Sequence, residues 1–303
     1  MPAATTPYSQ LLDDAVALTR RRPLATPLLV AAPLAVVNAG WTSLSSWFAT
    51  GAATTADPTL LFSALGAILL ALPVFLAAQL LAYAVLATAA TRRVLGVEGG
   101  VGDAVRFVFK LHTLGTLLLA GVLLSLSMLA LIFPFFVVSA LFSFLFPVML
   151  DEGRFGFDAL SRSSSLAWRN PRRLLQTWPL ALVLGIHAVF FAISTGLSLA
   201  IQAPIQVIQQ AVMFRQALGT GIADPGAVSA IIWLQVPLGI LTTFTSLFAS
   251  WYLFHCLALF FLDTRERREA TSVERALSAW SRNQPGSARP PSPPPLPDAG
   301  SVG

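Results

Sequence analysis

Charge is what this sequence lacks most. Only 11% of its 303 residues are Asp, Glu, Lys or Arg, and 55% are hydrophobic, giving a mean hydropathy of +0.73. Soluble globular domains carry about a quarter charged residues, so water is excluded as the main solvent. Cysteine is nearly absent as well. Cys256 stands alone, which excludes an internal disulfide, and its place inside an apolar run makes it a small hydrophobe rather than a reactive thiol. Lysine is reduced to Lys110; the other 18 basic residues are Arg, a bias that with the high Ala content points to a GC-rich bacterial genome. The three histidines, His112, His187 and His255, have no His-Glu-x-x-His spacing, and there is no phosphate loop ending in Lys and no Gly-x-Ser-x-Gly. No catalytic, metal-binding or cofactor-binding residues are therefore expected, and no cofactor. The sequence pI of about 10.3 comes from short basic clusters between apolar runs, without the basic groove and interleaved aromatics of a nucleic-acid surface, so no nucleic-acid partner is expected.

What is present is length of apolar run. A transmembrane helix needs about 20 apolar residues, and such runs occupy 24–48, 60–90, 114–150, 177–202 and 227–262. The first continues to Phe48, too long for the core of a signal peptide, which sets aside the twin-arginine look of Arg20-Arg21-Arg22. The third has 37 residues and would reach about 55 Å as one straight helix. Pro134 interrupts it and cannot donate a backbone hydrogen bond, so a tight hairpin is expected near 131–135. Six spans result, at about 24–48, 60–90, 114–131, 135–150, 177–202 and 227–262. Arg and Lys concentrate in cytoplasmic loops. With six crossings, 18 of the 19 basic residues fall on one side and only Arg215 on the other. Both termini are then cytoplasmic, in a bacterial cytoplasmic (inner) membrane. Residues 1–22 form an amphipathic cytoplasmic segment, 23–262 the membrane domain and 263–303 a cytoplasmic tail. From about 284 the tail is Pro-rich and expected to be disordered or polyproline II.

A weak repeat organises the spans. Asp14-Ala15-Val16, Asp103-Ala104-Val105 and Asp158-Ala159-Leu160 each open a segment with nearby basic residues that leads into an apolar pair. The fold class expected is all-α and polytopic: six transmembrane helices as three hairpins, each preceded by a cytoplasmic amphipathic helix whose Arg side chains reach anionic headgroups. Within the spans no Asp, Glu, Lys or Arg stands away from the ends. Asn38, Gln79, Ser125, Ser127, His187 and His255 are the polar residues there, at similar depths along the spans. They form a candidate polar layer, either the lining of a small cavity or a set of interhelical hydrogen bonds.

Between the fourth and fifth spans the sequence reads Pro147-Val148-Met149-Leu150-Asp151-Glu152, then Ala159-Leu160-Ser161-Arg162-Ser163, then Leu166. This stretch resembles the pattern Pro-x-x-x-x-Glu followed by Ala-Leu-x-Arg-Ser-x-x-Leu in the membrane domain of the glycerophosphoryl diester phosphodiesterase family and related six-helix bacterial membrane proteins. The resemblance implies a membrane module only, because the family's soluble phosphodiesterase domain, with its acidic and His metal motifs, has no counterpart in these residues. Glu152, Arg162, Ser163, Arg169, Arg172 and Arg173 form a candidate cluster, either a headgroup site or an ion pair that fixes an amphipathic helix. The expected function is a non-enzymatic integral membrane scaffold or lipid-associated module whose partners are anionic membrane lipids. The rivals are a transporter or channel for a small or amphipathic solute, and a membrane enzyme of lipid metabolism using Asp151, Glu152, Asp158 and His112.

Overall fold

The structure, a computed structural model, describes residues 8–21, 25–54, 58–130, 132–168, 179–217 and 225–283. Ten helices are found among these residues: α1 (Tyr8–Arg21), α2 (Ala25–Thr54), α3 (Pro58–Val94), α4 (Val101–Val108), α5 (Leu111–Ala130), α6 (Ile132–Leu141), α7 (Leu145–Asp151), α8 (Gly156–Trp168), α9 (Pro179–Ala217) and α10 (Pro225–Asn283). Five segments are long and apolar enough to cross a membrane: Ala25–Ser45, Leu65–Val94, Pro134–Asp151, Pro179–Ile208 and Trp233–Arg267. A sixth is reached if α4 and Leu111–Ser127, a pair bent by 72°, count as one span. The outer surfaces suit a lipid solvent. Leu70, Phe62 and Val36 are 81%, 77% and 72% exposed, a density of bare apolar side chains that a water-facing monomer avoids. The chain is an all-α, multi-pass membrane protein.

Helix α10 is the axis. It packs on α1, α2, α3 and α9, and its Leu247 and Trp251 complete one apolar cluster with α2 and α3 while Leu257, Phe260 and Phe261 complete another with α7, α8 and α9. No Gly or Pro stands between Gly239 and Pro285, so nothing in the backbone chemistry stops the helix where charge begins at Asp263. Apolar run and charged segment form one helix of 59 residues. Helix α9 likewise carries the fourth apolar run through Pro204 to Ala217.

The three short amphipathic helices α1, α4 and α8 precede α2, α5 and α9. The Ala of each Asp-Ala dipeptide, Ala15, Ala104 and Ala159, is completely buried. A small residue at that place lets each short helix lie close against the long helices beside it. In α4, Asp103 Oδ2 accepts the Gly100 N–H at 3.1 Å, which satisfies a donor at the helix start.

The third apolar run, 114–150, divides twice. Helix α5 ends at Ala130 and α6 begins at Ile132; the hairpin expected near 131–135 falls partly on residue 131, which lies outside the described residues, and Pro134 sits in the first turn of α6, where a missing N–H costs nothing. A second break, which the sequence did not lead us to expect, separates α6 from α7 at Phe142–Phe144. Pro147 cannot bond the Ser143 carbonyl and its ring crowds it. The Leu145 N–H therefore donates to the Phe142 carbonyl at 2.9 Å, one residue short of the α-helical acceptor, and leaves the Leu141 carbonyl to find another donor.

Candidate functional site

The donor for Leu141 comes from α8. Ser163 Oγ donates to the Leu141 carbonyl at 2.7 Å, and Ser163 is fully buried. Two further bonds hold α8 in place. Its first amide, Gly156 N–H, donates to Thr116 Oγ1 of α5 at 2.7 Å, with Gly156 at φ +62°, a backbone angle that favours glycine. Arg162 then grips Glu152, Nε to Oε2 at 2.8 Å and Nη2 to Oε1 at 2.7 Å, a two-pronged pair with both side chains largely buried. Arg154 Nε adds a third contact to Glu152 at 3.0 Å, and its Nη1 reaches Asp158 Oδ1 at 3.1 Å. The stretch from Pro147 to Ser163 is thus a clasp: Pro147 opens the helix, Ser163 satisfies the opened carbonyl, and Glu152 with Arg162 locks the amphipathic helix that carries Ser163.

Of the two alternatives for the candidate cluster, a headgroup site or an ion pair that fixes an amphipathic helix, this geometry favours the second for Glu152, Arg162 and Ser163. Ser163 points into the protein, and Ser164 and Ser165 donate to carbonyls of their own helix at 2.9 and 2.8 Å. These hydroxyls are committed to the fold. Arg162 is spent on Glu152. Arg169, Arg172 and Arg173 lie outside the described residues. The acidic residues of an enzyme reading are engaged as well: Asp151 is paired with Arg265, Glu152 with Arg162 and Arg154, and Asp158 with Arg154. His112 packs edge-on against Phe155, ring centroids 4.1 Å apart. Among the described residues no three His, Cys, Asp or Glu side chains group as metal ligands.

The candidate polar layer resolves into separate parts. Gln79 Nε2 donates to Asn38 Oδ1 at 2.6 Å, and Asn38 Nδ2 donates to Thr243 Oγ1 at 2.7 Å, tying α3, α2 and α10. Thr243 escaped the sequence reading because a helical Thr usually bonds its own backbone, as this one also does to Gly239. Ser125 is exposed and Ser127 donates to the Leu124 carbonyl, so neither joins the trio. His255 is fully buried, edge-on to Trp251, with Nδ1–H on the Trp251 carbonyl at 2.7 Å and Nε2 without a partner.

His187 stands elsewhere, in the wall of a cavity of about 360 Å³ between α3, α5, α6, α7, α9 and α10. The break in the third run forms one side of it through Phe142, Ser143 and Pro147. Irregular backbone at membrane depth is tolerated where protein or a cavity covers it. A second, open crevice of about 730 Å³ lies at the charged end of α3, lined by Arg93, Glu98, the Gly96–Val101 turn and Trp251. No protein-family model, curated protein or solved structure matches the chain.

Proposed function

We propose that this protein is a non-enzymatic, lipid-associated module of a bacterial cytoplasmic membrane. It has six spans as three hairpins and both termini in the cytoplasm. Helices α1, α4 and α8 lie on the cytoplasmic leaflet. The surface of α4 and its neighbours carries this reading. Phe109, Leu111 and Phe157 are 57%, 87% and 74% exposed there, while Arg106 and Lys110 stand exposed beside them. Bare aromatic and aliphatic groups next to cations are what an interfacial helix presents, the apolar groups entering the acyl boundary and the cations meeting anionic headgroups. The clasp supports a structural role for the Pro147–Ser163 stretch, and the pairing of Asp151, Glu152 and Asp158 with Arg favours this reading over a lipid-metabolising enzyme.

Native mass spectrometry of the purified protein, with and without Arg106→Gln and Lys110→Gln, tests it. Each cation near an anionic surface is worth about 1 kcal/mol, so the double variant should lose preferential retention of phosphatidylglycerol over phosphatidylcholine by roughly 30-fold. Equal retention of the two lipids by the unaltered protein would refute it.

A further inference from the structure

We propose that the cavity at the broken third run binds a neutral lipophile whose head donates a hydrogen bond, of which a long-chain alcohol is the simplest case. The site is separate from the lipid-facing surface of α4 and α8. Its volume of about 360 Å³ falls in the range of ligand pockets, roughly 300–1,000 Å³. No Asp, Glu, Lys or Arg lines it; the walls are Leu, Ala, Phe and Pro, interrupted by Tyr83, Thr91, Ser139, Ser143 and His187. A charged head would be stripped of water there with no counter-charge, so the occupant is neutral.

The polarity of the head follows from His187. Its Nδ1 lies 2.8 Å from the Val183 carbonyl. A carbonyl only accepts, so Nδ1 carries the proton, and the neutral ring presents the Nε2 lone pair as an acceptor. The protein partner of Nε2 is the Ser143 hydroxyl at 3.4 Å, which is long for an O–H donor. That hydroxyl also lies 3.0 Å from the Ser139 carbonyl, and its single proton goes to the nearer acceptor. His187 Nε2 is therefore an acceptor in an apolar cavity without a good donor. A ligand O–H or N–H supplies one, while its chain occupies the space beside Leu80, Leu117 and Leu124. Gly121 of α5 borders the same space, and a Cβ built there meets nothing within 4 Å.

Photolabelling of the full chain in phosphatidylcholine nanodiscs with a diazirine-bearing hexadecanol tests the site, with labelled segments mapped by peptide mass spectrometry. Label is expected on 139–147 and 183–190, competed by unlabelled hexadecanol about tenfold better than by hexadecane, the effect of one neutral hydrogen bond. His187→Leu should abolish that preference and His187→Gln, which keeps an acceptor, should retain it. Gly121→Phe, which fills the space from an open position, should remove the label altogether. Equal competition by alcohol and alkane in the unaltered protein would overturn the proposal without any variant having to fold. So would label spread evenly over the lipid-facing helices. Competition by the free alcohol alone marks a diffusible solute as the source. Recovery of a neutral alcohol-headed lipid from the purified, unlabelled protein marks the membrane. Either result supports the site.

Discussion

Breaking the clasp between Glu152 and Arg162 should uncouple α8 from the end of α7, and the size of the effect follows from burial. An exposed ion pair contributes about 0.2–1 kcal/mol, while removing one partner of a buried pair costs about 3–5 kcal/mol. The Glu152 and Arg162 side chains are 10% and 20% exposed, which places the pair between these limits and closer to the buried case. Arg162→Met leaves Glu152 with Arg154 alone, whose side chain is 43% exposed, so a loss of about 2 kcal/mol is expected. Glu152→Leu should cost somewhat less, because the long Arg162 side chain can turn its head to water. In a double-mutant cycle, read from reversible unfolding in mixed detergent micelles, the pair should couple by about 1.5–3 kcal/mol, the value of a charge-assisted bond. The coupling should survive a change from about 0.1 M to about 1 M salt, which screens exposed charges much more than buried ones. A coupling below about 0.5 kcal/mol would show that the two-pronged geometry contributes nothing and that the clasp is no clasp.

Other substitutions probe individual bonds. Ser163→Ala removes the donor to the Leu141 carbonyl and should destabilise the protein by about 1–3 kcal/mol, with faster amide exchange confined to the α6–α7 break. Asn38→Leu strips Gln79 and Thr243 of their shared partner and should cost about 0.6–1.7 kcal/mol in the same unfolding assay. His255→Phe should be neutral or stabilising, because Nε2 of the fully buried ring has no partner and an apolar ring of similar shape removes that penalty. A measured loss above about 2 kcal/mol would refute this reading of the ring.

The parts of this fold that the sequence shows are those governed by local chemistry. Apolar runs identify the long helices because a bilayer fixes their length, and the Asp-Ala dipeptides mark α1, α4 and α8 because a small residue must face the helix beside it. What escaped is what depends on partners far along the chain. Pro147 is plain in the sequence, yet a helix tolerates Pro or breaks at it according to whether the freed carbonyl finds a donor, and the donor here, Ser163, lies 22 residues away from Leu141. The depths of Asn38, Gln79, Ser125 and His187 along their helices could be counted, but depth carries no rotation. Asn38 and Gln79 turn toward each other, Ser125 turns outward and His187 faces a cavity. Helix α10 crosses the onset of charge at Asp263 unbroken, since charge sets where a helix leaves the membrane and not where it stops.

The most direct test of the six-span account is cysteine accessibility in intact cells, in a Cys256→Ala background, using a membrane-impermeant maleimide. Val97, Phe157, Thr59 and Gln210 are exposed positions, the first two beside α4 and α8 and the others near the opposite ends of α3 and α9. A Cys at Thr59 or Gln210 should react from outside, and a Cys at Val97 or Phe157 only after the cells are opened. Reaction of Val97 and Phe157 from opposite sides of the membrane would contradict the account, because the segment between them would then cross an odd number of times.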